Sequence, residues 1–188
     1  KVALYGASAD TGTAVLLSTA TASSSSSLSF TLPTAYKQVT FGFYNITPAT
    51  DVQKLTFQTS TDGGSSYGVT VTSTAFRAIH DESGSAAELG YDGGNDLAQS
   101  TSFNPLGGTI GNGADESTSG ELTLYNPAST TYVKHWMSTF NLVEASNTSM
   151  IQYHAGYFNT TTAINAIQFK MGSGNLDAVI KQYGLVAS

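Results

Sequence analysis

The feature that most constrains this chain is its period-two patterning, clearest in the last thirty residues, Gly156 to Leu185. Ile167, Phe169 and Met171 point one way along an extended chain, and Gln168 and Lys170 point the other. After Gly172-Ser173-Gly174-Asn175, the residues Leu176, Ala178 and Ile180 line one face, opposite Asp177, Lys181 and Tyr183. Two alternating runs around a Gly/Asn turn predict a β-hairpin.

The same alternation recurs upstream. Val39, Phe41 and Phe43 alternate with Thr40, Gly42 and Tyr44, and Pro48 and Asp51 end that strand. Leu55, Phe57 and Thr59 follow. Ser60 to Tyr67 then contains Asp62-Gly63-Gly64, a turn that tolerates positive φ, and Tyr67, Val69 and Val71 resume the sheet beyond it. Leu122 and Leu124 alternate with Glu121, Thr123 and Tyr125 before an Asn126-Pro127 turn. Tyr132, Lys134, Trp136, Ser138 and Phe140 share one side, with Val133, His135 and Met137 on the other. Asn147-Thr148-Ser149 reads as a turn and Met150 to Phe158 as a strand. Val2 to Gly6 reads as a short first strand. The serine run Ser23–Ser27 reads as an exposed strand or loop inside the domain, because Val15 to Leu17 and Leu28 to Leu32 flank it as strands. Ala86–Tyr91 fits a strand or a short helix, and Phe103 to Ser119 a long loop. No window holds the i, i+3, i+4, i+7 spacing of a long helix. The expected fold is therefore all-β: an antiparallel β-sandwich, jelly-roll-like, of about eight to ten strands. Residues 1–188 are read as a single domain, with 1–20 as an N-terminal strand or arm.

Composition supports sheets and excludes several functions. Only 11% of the 188 residues are charged, while Ser and Thr make up roughly a quarter of the chain. Thr and aromatics fit a pleated surface, and Lys/Glu-rich helices are missing. With no Cys, neither disulfides nor thiolate metal sites support the fold. The net charge is −6 and the 7 Lys and Arg are scattered, so no phosphate-binding patch forms and nucleic acid is excluded as a partner. No run approaches the ~20 apolar residues of a membrane span. The chain begins at Lys1 rather than Met, which fits processing or excision from something longer.

Candidate chemistry is sparse. Asp92-Gly93-Gly94-Asn95-Asp96 has oxygens at a spacing a Ca²⁺ loop could use, but lacks the closing bidentate Glu, so a solvated turn is expected. His80, His135 and His154 lie in separate segments. Asp81, Glu82, Glu88 and Asp92 would serve as paired carboxylates for glycoside hydrolysis only if the fold set their separation. No nucleophile elbow, zinc-protease helix, phosphate loop or dinucleotide fingerprint is present. No catalytic, cofactor-binding or metal-ligating residue is assigned, and a non-enzymatic role is expected. The 10 Tyr leave a lectin-like role open, since exposed rings stack on sugars, although Trp136, Phe140, Phe158 and Phe169 are expected in the core. Asn45-Ile46-Thr47, Asn147-Thr148-Ser149 and Asn159-Thr160-Thr161 match the glycosylation sequon, a weak signal in so Thr-rich a chain.

Two resemblances add to this reading. Ser60 to Tyr67 resembles the Asp-box of sialidase-like propellers, a structural hairpin there; one copy cannot build a propeller. From about Thr21 to Leu185 the chain resembles structural proteins of marine and cyanobacterial tailed phages. The matching pieces are the Ser-rich start before Leu28-Ser29-Phe30, Phe43 to Asp51, Ser119 to Pro127, Gly156 to Ile164, and Gly174-Asn175-Leu176 to Leu185. The resemblance implies a virion surface component, a capsid decoration, head-fibre or tail-fibre domain, without cofactor or catalytic residues. It implies contact with the major capsid protein or other virion proteins and a contribution to host attachment through a surface glycan, and the sparsely charged β-domain with edge strands to bury predicts a homotrimer or a capsid-bound oligomer. A carbohydrate-binding module is the alternative, and a small hydrolase a third reading.

Overall fold

The computed structural model describes residues 14–185. The expected strand Val2 to Gly6 lies outside them. Twelve strands form two antiparallel sheets, with no helix among the described residues. They are β1 Ala14–Ser25, β2 Leu28–Thr31, β3 Gln38–Pro48, β4 Leu55–Ser60, β5 Val71–Asp81, β6 Ala87–Tyr91, β7 Asn104–Pro105, β8 Thr118–Tyr125, β9 Lys134–Glu144, β10 Thr148–Phe158, β11 Ala166–Met171 and β12 Leu176–Leu185. The count exceeds eight to ten for two reasons. Ala87–Tyr91 is an edge strand rather than a helix, and the expected long loop contains β7 and a bridge from Ile110 to Gln53.

The small sheet runs β2-β11-β4-β7 and the large one β1-β12-β3-β8-β9-β10-β5-β6. The order β1-β12-β3-β8 facing β2-β11-β4-β7 is the eight-strand double Greek key of a jelly roll. Two inserted pairs, β5–β6 and β9–β10, extend the large sheet beyond β8. β9 and β10 form a true hairpin, closed by Asn147 at φ 54°.

The closing segment corrects its expectation. The alternation is as read: Ile167, Phe169, Met171, Leu176, Ala178 and Ile180 are all buried. The two strands do not pair, however. β11 pairs with β2 and β4 in the small sheet, and β12 with β1 and β3 in the large one. The turn is an arch between layers, and the two apolar faces oppose each other across the core instead of lying side by side. Neighbouring chain holds the arch: the Gly172 amide donates to the Lys54 carbonyl at 2.9 Å, and the Ala49 amide to the Asn175 carbonyl at 2.9 Å. Gly174 is required, at φ 75° and with a would-be Cβ 2.3 Å from Thr50 Oγ1. The Asp62 turn behaves likewise. It leads from β4 in the small sheet to β5 in the large one, so it is not a hairpin.

Rings from both sheets meet in one core. Phe169 of β11 lies 5.1 Å from Phe41, 5.0 Å from Phe43 and 5.9 Å from Phe30, all edge to face. Phe57 of β4 contacts Trp136 at 5.0 Å and Phe158 at 5.9 Å. Trp136, Phe140, Phe158 and Phe169 are core residues, as expected. Tyr132 departs from its alternating run: it precedes β9 and is 70% exposed. β4 is buried along its whole length, because residues 101–103 close over its outer side; Gln58 Nε2 donates to the carbonyls of Thr101 at 3.1 Å and Ser102 at 3.0 Å.

Phe169→Ala is expected to cost about 3–5 kcal/mol, the range for emptying a buried aromatic site, and Phe169→Leu distinctly less. Urea unfolding measures both. Tyr132→Ala, outside the core, is expected to stay within about 0.5 kcal/mol of the parent chain.

Candidate functional site

The site is built from the alternation of the extension strands. On β9, Trp136, Ser138, Phe140 and Leu142 turn inward, so His135, Met137, Thr139 and Asn141 turn outward. On β10, Met150, Gln152 and His154 are buried, which leaves Ile151, Tyr153, Ala155 and Tyr157 outside. Phe76 on β5 and Tyr91 on β6 also face out. A solvated sheet face normally carries polar residues here. This one carries rings: Phe76 is 47% exposed, Met137 55% and Tyr91 63%.

Strand register arranges them in rows across the sheet. One row reads Tyr91, Phe76, Tyr153, Thr139, Glu121 on β6, β5, β10, β9 and β8. The next reads Thr74, Ala155, Met137, Thr123. Phe76 and Tyr153 stack with centroids 4.9 Å apart and planes 14° apart. A depression of about 590 Å³ lies between Tyr157, His135, Tyr125, Met137 and Ala155. A second, of about 260 Å³, lies between Phe76, Tyr153, Thr139, Met137 and Ala155. A third, of about 190 Å³, adjoins it between Thr139, Glu121, Thr123 and Tyr125. Together they make a shallow aromatic-edged valley over small residues.

Behind this face the inner side of the extension is mixed, and it is polar where residues 92–104 lie against it. Asp92 is buried, and its Oδ2 accepts from Asn95 Nδ2 and Gln152 Nε2, both at 2.7 Å. Arg77 Nη1 lies 3.8 Å from Asp92, and Arg77 Nη2 lies 3.9 Å from Glu88. Ser73 and Asn104 bond side chain to side chain at 2.9 Å. The segment 92–100 lies along β5 where β6 stops, with the Asp92 amide donating to the Ala75 carbonyl and the Ser73 amide to the Leu97 carbonyl. His154, buried in this layer, has no hydrogen-bond partner on either ring nitrogen among the described residues. Burial pulls its pKa down to about 4, against the opposing charge of Asp92. Lys134 is also buried. Its Nζ donates to the carbonyls of Tyr132 at 2.8 Å and Thr160 at 3.0 Å, and burial lowers its pKa.

The residues weighed for chemistry do not converge. Asp92 turns into the protein, and Asp96 accepts from the Tyr91 hydroxyl, which pushes the Tyr91 pKa up. Among the described residues no cluster of three or more His, Asp and Glu could hold a metal ion. His135 and His80 share the outer face but align with opposite ends of β10, at Tyr157 and Ser149, roughly 26 Å apart along it. His154 faces the other way. Asp81 is tied into the β5–β6 turn, where Ser83 and Ser85 hydroxyls at 2.6 Å hold its carboxyl well below the usual range. Glu88 and Asp92 flank the Arg77 guanidinium as an ion-pair set. In the Asp62 turn, Ser60 Oγ and Ser66 Oγ each lie 2.5 Å from an Asp62 carboxylate oxygen, and Gly63 and Gly64 take positive φ. Nothing in the sequence singles out Thr139 or Glu121 as site residues, because only register sets them in the row of Tyr153, one and two strands away.

Compared with known protein families, curated proteins and solved structures, the chain matches none. The fold and this face define an all-β jelly roll with an extended, aromatic-bearing sheet.

His154 makes stability pH-dependent with a definite sign. The unfolded chain takes up this proton near pH 6.5, but the folded one only near pH 4. Stability is therefore expected to fall as pH drops from 6.5 to 4, by roughly 3 kcal/mol at saturation. Urea midpoints at pH 7 and pH 4.5 measure it. Since carboxylates also titrate there, the check is the difference from His154→Asn, which should lose much of the slope.

Proposed function

We propose that this chain is a non-enzymatic structural protein of a phage particle surface, a capsid decoration or fibre domain. The observation that carries the reading is where the phage-like segments lie in the fold. Phe43 to Asp51 covers the end of β3, Ser119 to Pro127 covers β8, and Gly174 to Leu185 covers β12, while the Ser-rich start lies on β1. These four pieces become adjacent strands, β1-β12-β3-β8, one layer of the jelly roll, while the fifth, Gly156 to Ile164, ends β10 of the extension and lies outside that layer. A layer that holds four of the five pieces is what common descent of a scaffold would leave. The surface chemistry agrees: Cys-free, sparsely charged and rich in Ser and Thr. Among the described residues the large sheet ends at β1 and β6, with Val15, Leu16 and Leu89 exposed. Open apolar edges are usually covered by a neighbouring copy, which supports a homotrimer on the particle.

A second reading, a lectin-like module, is favoured by the aromatic valley of the extension. Exposed rings over small residues suit the apolar face of a sugar ring. The two readings coincide in a particle protein that also attaches to a host glycan.

Mass spectrometry of purified particles encoding the chain should detect it in many copies; particles without it would end the virion reading. Sedimentation equilibrium of the isolated chain should give a trimer, whereas a monomer at high concentration would remove the homotrimer. A glycan array run with and without Ca²⁺ tests the second reading, which fails if no saccharide binds.

A further inference from the structure

We propose that the slot over Thr139 binds a neutral pyranoside, one sugar ring lying against the free face of Tyr153 while two vicinal hydroxyls donate to the Glu121 carboxylate. This rests on the lectin-like reading and specifies its subsite.

The geometry follows from the register. Tyr153, Thr139 and Glu121 stand in one row on β10, β9 and β8, all directed outward. The Phe76–Tyr153 centroid separation of 4.9 Å matches the spacing of adjacent strands, so the two rings stack across the strands. Phe76 therefore covers one face of Tyr153, and the other face looks over β9. The short side chain of Thr139 leaves space there. Beyond it, on the next strand, stands Glu121. The backbones carrying Tyr153 and Glu121 are about 9.5 Å apart, room for one saturated six-membered ring once the thickness of Tyr153 is subtracted. The two depressions that meet at Met137 and Thr139 are the two halves of this slot.

The chemistry selects the ligand. A tyrosine face offers an apolar, electron-rich surface to the C–H side of a pyranose. Its stacking on Phe76 fixes the ring beforehand, so little rotamer freedom is lost on binding. Glu121 is exposed and makes no ion pair among the described residues. Its two oxygens match a vicinal diol and accept charge-assisted O–H bonds, stronger than neutral ones. Thr139 and Thr123 add hydroxyls at the floor and rim. No Lys or Arg lines either depression. The one charge lining them is the Glu121 carboxylate, with Lys181 two strands beyond it in the same row, so uronates, sialylated chains and sulfated sugars are disfavoured in the slot, and a neutral saccharide is selected. The slot is open and shallow, so one ring should bind with a Kd in the millimolar range, about −4 kcal/mol. Useful affinity then comes from repeated copies on one assembly.

The test is isothermal titration of the full chain with neutral gluco-, manno- and galacto-oligosaccharides and with matched oligouronates. Tyr153→Ala, Glu121→Gln and the control Tyr132→Ala are titrated alongside, and thermal unfolding verifies that each folds. Glu121→Gln keeps the shape of an exposed residue, so it stays informative even if Tyr153→Ala is unstable. Expected is binding of a neutral oligosaccharide, weakened at least tenfold by each slot variant and unchanged by the control. Neutral binding indifferent to both variants overturns the slot while leaving the lectin-like reading in place. Preference for uronates also overturns the slot. No saccharide binding at all overturns both. An oligomer that dissociates on Tyr153→Ala without any saccharide binding assigns the face to self-contact, and overturns the proposal too.

Discussion

The contact on which the rest of this structure depends is the insertion of Phe169 between the sheets. It sits on β11 at the centre of the small sheet, yet its nearest rings, Phe41 and Phe43, belong to β3 of the large one. No local pairing brings these residues together. β3 and β11 are roughly 130 residues apart in sequence, and they meet only when the chain has rolled up as paired arches. The arches at residues 48–54 and 172–175 are hydrogen-bonded to each other at one end of the sandwich, just where β3 leads to β4 and β11 leads to β12. The aromatic core and the arch bonds enforce the same register. A slip of one residue in β11 would swap Phe169 for Gln168 or Lys170 in the core, a far larger penalty than any single hydrogen bond.

The extension obeys a different balance. Its inner face carries Gln152, His154, Ser138 and Ser73 where a sandwich would place aliphatic residues. The small sheet does not cover β10 and β5 beyond Phe158 and Ser73, which Phe57 and Asn104 contact. The irregular segment 92–103 does, and irregular backbone brings unpaired amides and carbonyls that polar side chains can satisfy. Asp92 anchors this cover through three side chains on two neighbouring strands and its own turn. An aliphatic inner face would leave the Asp92 carboxylate buried without donors. The polar layer is thus the counterpart of a loop lid, and a neutral His154 is part of what it costs.

How much of this could be read from sequence divides along physical lines. Side-chain alternation is local, and the runs on β3, β8, β9, β11 and β12 became strands with the expected face buried, whereas Tyr67 and Val69 precede β5 in irregular chain and Tyr132 precedes β9. Pairing is not local. Gly172 to Asn175 and Asp62 to Gly64 have hairpin-like turn residues, yet both connect opposite layers, because alternation looks the same whether two strands lie side by side or face to face. The full burial of β4 was hidden too, since its cover comes from residues 101–103, forty residues on. Lys134 fell on the correct face, but only the structure supplies the two carbonyls that make its burial tolerable. For the site, one signal was available. The outward set of β10 from Ile151 on, Ile151, Tyr153, Ala155 and Tyr157, is apolar or aromatic, and a strand with one solvated face should not be. Its partners Thr139 and Glu121 are ordinary outward residues of other strands, and nothing in their own neighbourhoods marks them.

The two halves of the large sheet suggest different roles in the proposed particle protein. A jelly roll by itself implies no function. Here, however, four of the five segments behind the proposed resemblance fall on β1-β12-β3-β8 and the fifth ends β10, whereas the stacked rings Phe76 and Tyr153, with Tyr91 beside them, lie on β5, β10 and β6. The first half is closed by a second sheet and has an aromatic core, so it tolerates few substitutions. The outer face of the second half makes no core contacts, and its side chains can change at little expense to the fold. A protein that must keep fitting one particle while meeting changing host surfaces would put its conserved geometry in the first and its recognition in the second. Insertions into two separate places of the chain, which become neighbours only after folding, are how a jelly roll acquires such a face without disturbing the arches that hold it.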